Sequence, residues 1–157
     1  MSYRIGLDLG GTKVLGVVTD SDHKVVHRKK HRLSNRADIS VVMDQISNVY
    51  TALAEKVDDE KIVSVGIALP SPVDNKLGHA KHLTAFQEKE LPVRDLLKER
   101  TGVDIKLGND VNMATLAEYK FGAGKGVSSL FTFYPGTGLG GGYIYKGKLV
   151  TGFNSTA

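Results

Sequence analysis

Apolar and polar positions along the chain change their period repeatedly, and each change marks an element. Tyr3 to Leu9 (YRIGLDL) and Lys13 to Asp20 (KVLGVVTD) are β-rich runs separated by Gly10, Gly11 and Thr12, the composition of a glycine hairpin. A third run follows the polar turn Ser21-Asp22, so three antiparallel strands are predicted to open the chain. From Asp38 the period lengthens: Ile39, Val42, Met43, Ile46, Val49, Tyr50, Leu53 and Val57 recur at three- and four-residue steps, one apolar stripe on an amphipathic helix. Ile62 to Leu69 (IVSVGIAL) is a nearly unbroken apolar strand of the kind covered on both faces, and it stops at Pro70-Ser71-Pro72.

Between Asp74 and Glu90 the pattern weakens and a polar connection is expected. Pro92 starts a short helix carrying Val93, Leu96 and Leu97, which Gly102 ends. Val103 to Leu107 (VDIKL) is a strand, and Asn109-Asp110 stands where it gives way to a helix with Val111, Ala114, Ala117 and Phe121 near helical spacing. Ser128 to Tyr134 (SSLFTFY) is a strand, the stretch GTGLGGG from Gly136 to Gly142 a loop, and Gly142 to Val150 a returning strand with a Lys146-Gly147 turn. This order predicts an α/β fold: a mixed sheet with antiparallel first three strands, flanked by helices. The closing TGFNSTA carries no capping element and the last hairpin has nothing after it to cover it, so the chain is expected to be an N-terminal portion.

Composition narrows the function classes. The 157 residues are 41% apolar and 24% charged, enough for one ordinary core or one domain and part of another. No cysteine is present, which removes disulfides and thiolate metal sites. The N-terminus enters a strand with no leader pattern, and no apolar run approaches the ~18 residues of a membrane span. A cytoplasmic protein without a membrane partner is the expectation. The formal charge of +4 concentrates in HKVVHRKKHR, His23 to Arg32, read as the solvated face of an outer strand whose lysines discourage edge pairing. With no aromatic residue interleaved among those charges, no nucleic-acid partner is expected.

Eighteen glycines exceed the usual ~7% and cluster, so they mark special backbone geometry. Gly136, Gly138 and Gly141 stand in G-x-G-x-x-G order, yet a strand pattern rather than a helix follows, and no acidic residue lies ~20 positions on. That excludes a dinucleotide loop. Gly142 to Lys148 nearly spells a P-loop, but Leu149 replaces the magnesium-binding hydroxyl and no helix follows. What remains is two glycine-tipped hairpins, each with a threonine at the tip, Thr12 and Thr137. Runs of N–H groups at such tips hold phosphate oxygens, although either tip alone also reads as a tight turn. Asp8 beside the first tip suits the hydrated Mg2+ that rides with nucleotide phosphates.

D-x-G-G-T-K at Asp8 to Lys13, GIALPSPVD at Gly66 to Asp74, GNDVNMATLAEYKFGAG at Gly108 to Gly124 and GTGLGGGYIYKGKLVTG at Gly136 to Gly152 together resemble the ROK family of sugar kinases and sugar-responsive repressors, most closely its bacterial glucokinase-type members. The motifs span nearly the whole chain. The resemblance implies an actin-like ATPase (ribonuclease H-like) fold, with residues 1–108 a small N-terminal domain and 109–157 the start of a large one. It implies an ATP-dependent phosphotransferase using Mg2+ that phosphorylates a hexose in carbohydrate metabolism. Gly10, Gly11, Thr12 and Lys13 would grip phosphates from one side, and Gly136, Thr137 and Gly138 from the other. Asn109 would bond sugar hydroxyls and Asp110 would be the general base, although either is also a good helix N-cap.

The sequence departs from the family pattern in places. Family members often show Pro-Gly-Pro where Ser71 stands between Pro70 and Pro72, which places Ser71 near the sugar. A loose alignment places His82 at a sugar-contacting position, though an ordinary loop histidine is the simpler reading. The family's Gly-Glu-Ile-Gly-His segment, its zinc motif and the rest of its large domain lie beyond these residues, so no zinc site is expected here and these 157 residues alone are expected to be inactive. A sugar-sensing regulator on the same fold is the alternative function. Partners are expected to be a sugar and ATP, and a homodimer or complementary chain over the open hairpin edge.

Overall fold

The computed structural model describes residues 1–136 and 139–153. Strands β1 (Tyr3–Leu9), β2 (Lys13–Thr19) and β3 (Val25–Arg32) form the predicted antiparallel meander. Helix α1 (Ile39–Ala54) follows, opened by Asp38, whose Oδ1 accepts the N–H groups of Ser40 at 3.0 Å and Val41 at 3.4 Å. Strand β4 (Ile62–Leu69) then pairs parallel with β1. Strands β5 (Val73–Asp74), β6 (His79–Leu83) and β7 (Glu88–Leu91) lead into α2 (Val93–Thr101), and β8 (Ile105–Asn109) pairs parallel with β4. Helix α3 (Asp110–Phe121) and strands β9 (Leu130–Pro135), β10 (Leu139–Tyr145) and β11 (Lys148–Val150) complete the described chain.

The strands make three sheets: β3-β2-β1-β4-β8, β5-β6-β7 and β11-β10-β9. In the first, period-two alternation sends Ile5, Leu7, Leu9, Val14, Val18, Val65, Ile67 and Leu69 to one face, where Val42, Met43, Ile46, Val49 and Leu53 of α1 and Leu97 of α2 bury them. Each such side chain contributes about 1.5–3 kcal/mol of transfer free energy, which makes this face the stable platform of the molecule. Gly102, at φ 72°, ends α2 in the left-handed region that glycine adopts without strain, and its N–H closes on the Lys98 carbonyl at 2.8 Å. Arg100 ties α2 to α1 through Asp44 at 2.6 Å and the Ser40 hydroxyl at 2.9 Å.

Three expectations need correction. The polar connection from Asp74 to Glu90 is a small antiparallel sheet, β5-β6-β7, whose strands are too short to show a period but bury Val73, Ala80, Leu83 and Leu91. The strand drawn over Val103 to Leu107 runs from Ile105 to Asn109, so Asn109 is its last residue. On α3, the stripe Val111, Ala114, Ala117 and Phe121 is not the buried face: Asn112 and Thr115 are buried, and Phe121 is exposed. A polar face is buried because α3 lies against the glycines of β10. A Cβ on Gly140 would meet Val111 Cγ2 at 2.9 Å, and one on Gly142 would collide with the Thr115 side chain. Gly140 and Gly142 therefore belong to a strand that needs close helix contact, and not to a loop.

Candidate functional site

The second face of the five-stranded sheet carries Asp8, one of the residues singled out for chemistry. On it lie Gly6, Asp8, Leu15, Val17 and Ala68, and across an open cleft of about 640 Å³ stand Asp110, Val111, Met113, Ala114 and Ala117 of α3 with Tyr134 of β9. The apolar stripe of α3 thus lines a cleft instead of a core. Asp8 and Asp110, far apart in sequence, face the same space.

Their environments differ. The Asp8 carboxyl is held above its ordinary value of 3.8, chiefly because the cleft walls displace water around it and next because of the Asp110 charge; Lys13 pulls the other way. Although Asp8 opens to solvent, those walls leave its charge less well hydrated than on a flat surface. A cation arriving there relieves both penalties, which is the chemistry of a hydrated Mg2+ carried by phosphate. Among the described residues no cluster of three or more metal-ligating side chains exists.

Asp110 is the first residue of α3 and Asn109 is its N-cap. Asn109 Oδ1 accepts the Asn112 N–H at 3.0 Å, while Nδ2 donates to the Ser71 carbonyl at 3.2 Å and to Asp110 Oδ1 at 3.0 Å. Asp110 Oδ1 also accepts the Val111 N–H at 2.8 Å. One carboxylate oxygen is therefore fixed by two donors, and Oδ2 has no hydrogen bond among the described residues. The two readings of Asn109-Asp110 thus divide between the residues. Asn109 caps and orients, with both Nδ2 hydrogens committed inside the chain, and Asp110 offers a free oxygen beside the cleft.

Ser71, expected near a sugar, is buried with its hydroxyl turned inward: Oγ donates to the Pro72 carbonyl at 2.8 Å and accepts the His82 N–H at 2.9 Å. Its own N–H closes a tight turn on the Leu69 carbonyl at 2.8 Å. What it presents to the site is its carbonyl, which positions Asn109. His82 lies on β6 with an exposed side chain and meets this network only through its main chain.

The first hairpin tip is braced from outside. Gly10 N–H closes on the Lys13 carbonyl at 2.9 Å, Leu33 N–H donates to the Thr12 carbonyl at 2.9 Å, and Arg36 Nη1 donates to the Gly11 carbonyl at 2.7 Å. With carbonyls occupied, the N–H groups of Gly11 and Thr12 are left without a hydrogen bond among the described residues. Gly136 is exposed just beyond Tyr134; Thr137 and Gly138 lie outside the described residues. Sequence reasoning missed Tyr134 and Arg36. The alternation in LFTFYP places Tyr134 opposite Phe133 and was available as a signal for the first, whereas nothing in the sequence pointed to the second.

The glucokinase of Streptomyces coelicolor (strain ATCC BAA-471 / A3(2) / M145) is 31% identical over 152 residues, covering 97% of this chain and 46% of the relative. A ROK family glucokinase from Streptomyces griseus, solved with glucose and AMPPNP, superposes with a TM-score of 0.88 at 30% identity, covering 99% of this chain and 48% of that one. The DNA-binding transcriptional repressor Mlc of Escherichia coli (strain K12) is 23% identical over 152 residues, covering 94% of this chain and 37% of Mlc. The chain thus spans about half the length of the curated glucokinase it matches, and its fold is the actin-like ATPase fold of the sugar kinases. With residues 4–157 matching the family throughout, the chain belongs to the ROK family.

Proposed function

We propose that this chain supplies the donor-phosphate cradle and the general base of an ATP-dependent sugar kinase of the glucokinase type. The observation that carries the reading is Asp110: one oxygen pinned by Asn109 and Val111, the other free, on the wall of a cleft that also holds Asp8. In this reading Asp110 Oδ2 takes the proton of a hexose hydroxyl as its oxygen attacks the γ-phosphorus. The new O–P bond forms while the bond to the β-phosphate oxygen breaks, and ADP leaves with the electron pair. The Gly11 and Thr12 N–H groups and Lys13 stabilise charge on the phosphate oxygens, with Gly136, Thr137 and Gly138 closing from the second hairpin. Mg2+ arriving with ATP sits by Asp8. The sugar is supplied with contacts by exchange at the Asn109 amide, and residues 1–108 and 109–157 belong to the two lobes that close on it.

A coupled assay of glucose-dependent ADP formation tests this. The chain alone is expected to show negligible turnover, and the chain complemented by the second half of a glucokinase relative to turn over and lose ~10²–10⁴-fold with Asp110→Asn. Activity undiminished by Asp110→Asn would remove the base assignment. Similarity to Mlc supports a second reading, a sugar-responsive regulator. That reading requires sugar to change binding to DNA or a partner in the absence of any Asp110-dependent turnover.

A further inference from the structure

We propose that Arg36, on the turn between β3 and α1, is a positioning residue for phosphate binding: its guanidinium holds the Gly11–Thr12 peptide so that the Thr12 N–H faces the donor phosphates. The inference deepens the kinase reading and rests on it. The turn places the side chain. Leu33, buried just beyond β3, donates its N–H to the Thr12 carbonyl at 2.9 Å, and Asn35 at φ 45° takes the left-handed conformation that asparagine tolerates. The Asn35 carbonyl then accepts the Asp38 N–H at 3.1 Å, directly ahead of α1. Between these two anchors Arg36 reaches 25 residues back along the chain, and its Nη1 donates to the Gly11 carbonyl at 2.7 Å.

The peptide plane sets the consequence. The Gly11–Thr12 bond is trans, so its carbonyl and its N–H point in opposite directions. Arg36 lines a cavity of about 360 Å³ with Ala37, Ala85, Phe86, Gln87 and Glu88, none of which lines the Asp8–Asp110 cleft. Holding the carbonyl on that outer side turns the Thr12 N–H away from it, and this N–H has no hydrogen bond among the described residues. The connection between β6 and β7 closes the outer side of the tip, where a Cβ on Gly11 would meet Ala85 Cβ at 3.2 Å. A charged donor on the carbonyl also polarises the amide and strengthens its N–H as a donor to an anion. Arg36 is exposed and makes no ion pair among the described residues, although Asp38 lies two positions on and Glu88 lines the same cavity. Water competes for such a bond, so it adds little to folding stability. What it fixes is the direction of one peptide.

The test is binding of Mg2+-ATP to the full chain, followed by calorimetric titration and by nitrogen–proton amide spectra. Arg36→Ala and Arg36→Lys are compared with Lys56→Ala, which removes the same charge at the far end of α1, about 24 Å of helix away. Both positions are exposed, so all three variants are expected to keep the parent melting temperature. Arg36→Ala should weaken binding about tenfold, the loss of one charge-assisted positioning bond. Arg36→Lys, which keeps a single charged donor, should bind within about threefold of the parent, and Lys56→Ala within about twofold. Without ligand, the Thr12 amide resonance should move in Arg36→Ala while those of Leu7 and Val18 stay in place. Alanine binding as tightly as the parent, lysine binding no better than alanine, equal losses in Arg36→Ala and Lys56→Ala, or an unmoved Thr12 resonance would each overturn the proposal. These results leave the kinase reading standing, because the parent still binds. No binding of Mg2+-ATP by the parent would instead overturn the phosphate cradle and, with it, the role given to Arg36.

Discussion

Substitution of Asn109 separates its two jobs. In Asn109→Ala the helix loses its cap, worth about 1 kcal/mol, and the Ser71 carbonyl loses a donor at 3.2 Å, worth about 0.5–1.5 kcal/mol. The sum, about 2 kcal/mol, should lower the melting temperature by ~4–8 °C in a chain of this size. Asn109→Ser keeps an oxygen for the Asn112 N–H but not the amide donor, and should fall about midway. Asn109→Asp also keeps the cap, yet sets a carboxylate where Nδ2 donated to Asp110 Oδ1. Two facing carboxylates resist ionisation, so its cost beyond serine should appear at neutral pH and shrink as the solution is acidified. Urea and thermal unfolding of the three variants at pH 7 and pH 4 read all of this. Serine and alanine melting together, or an alanine cost under about 0.5 kcal/mol, would refute the capping account and return Asn109 to a purely ligand-facing role.

Two other perturbations follow from the same geometry. Because the Asp8 carboxyl is raised above its unfolded value, the stability it contributes is full below that value and is lost as pH rises through the folded one. Asp8→Asn is therefore expected to raise the melting temperature at pH 7 and to give no gain near pH 3, and a variant less stable than the parent at pH 7 would contradict the raised value. Gly142→Ala drives a methyl group into the fully buried Thr115, whose Oγ1 holds the Val111 carbonyl at 2.8 Å, and should cost about 1–3 kcal/mol in urea unfolding, partly recovered by adding Thr115→Ala.

The elements that sequence made legible are those with a strong period and clear punctuation. The stripe from Ile39 to Val57 specifies α1, the apolar run specifies β4, and Lys146-Gly147, with φ 47° and 79°, specifies the last turn. The sheet β5-β6-β7 was not legible because two- to five-residue strands offer too few alternations to tell from a polar loop. The buried side of α3 was not legible either. Pattern rules assign apolar residues inward, but here Gly140 and Gly142 let a strand approach Thr115 closely, and Val111, Ala114 and Ala117 are left to a cleft.

Local chemistry along the chain sufficed to nominate Asp8 and the two glycine tips and to mark Asn109-Asp110 as a strand end and helix cap, since such features depend on residues a few positions apart; the site roles of Asn109 and Asp110 came from the resemblance to the ROK family. Local chemistry left open which of Asn109 and Asp110 caps and which faces the cleft. That division, the joining of Asp8 and Asp110 in one cleft, and the inward turn of the Ser71 hydroxyl were decided only by tertiary structure. The physical reason is distance: hydrogen bonds between Asn109 and Ser71, and the electrostatic coupling of Asp8 to Asp110, join segments whose separation along the chain leaves no periodic trace.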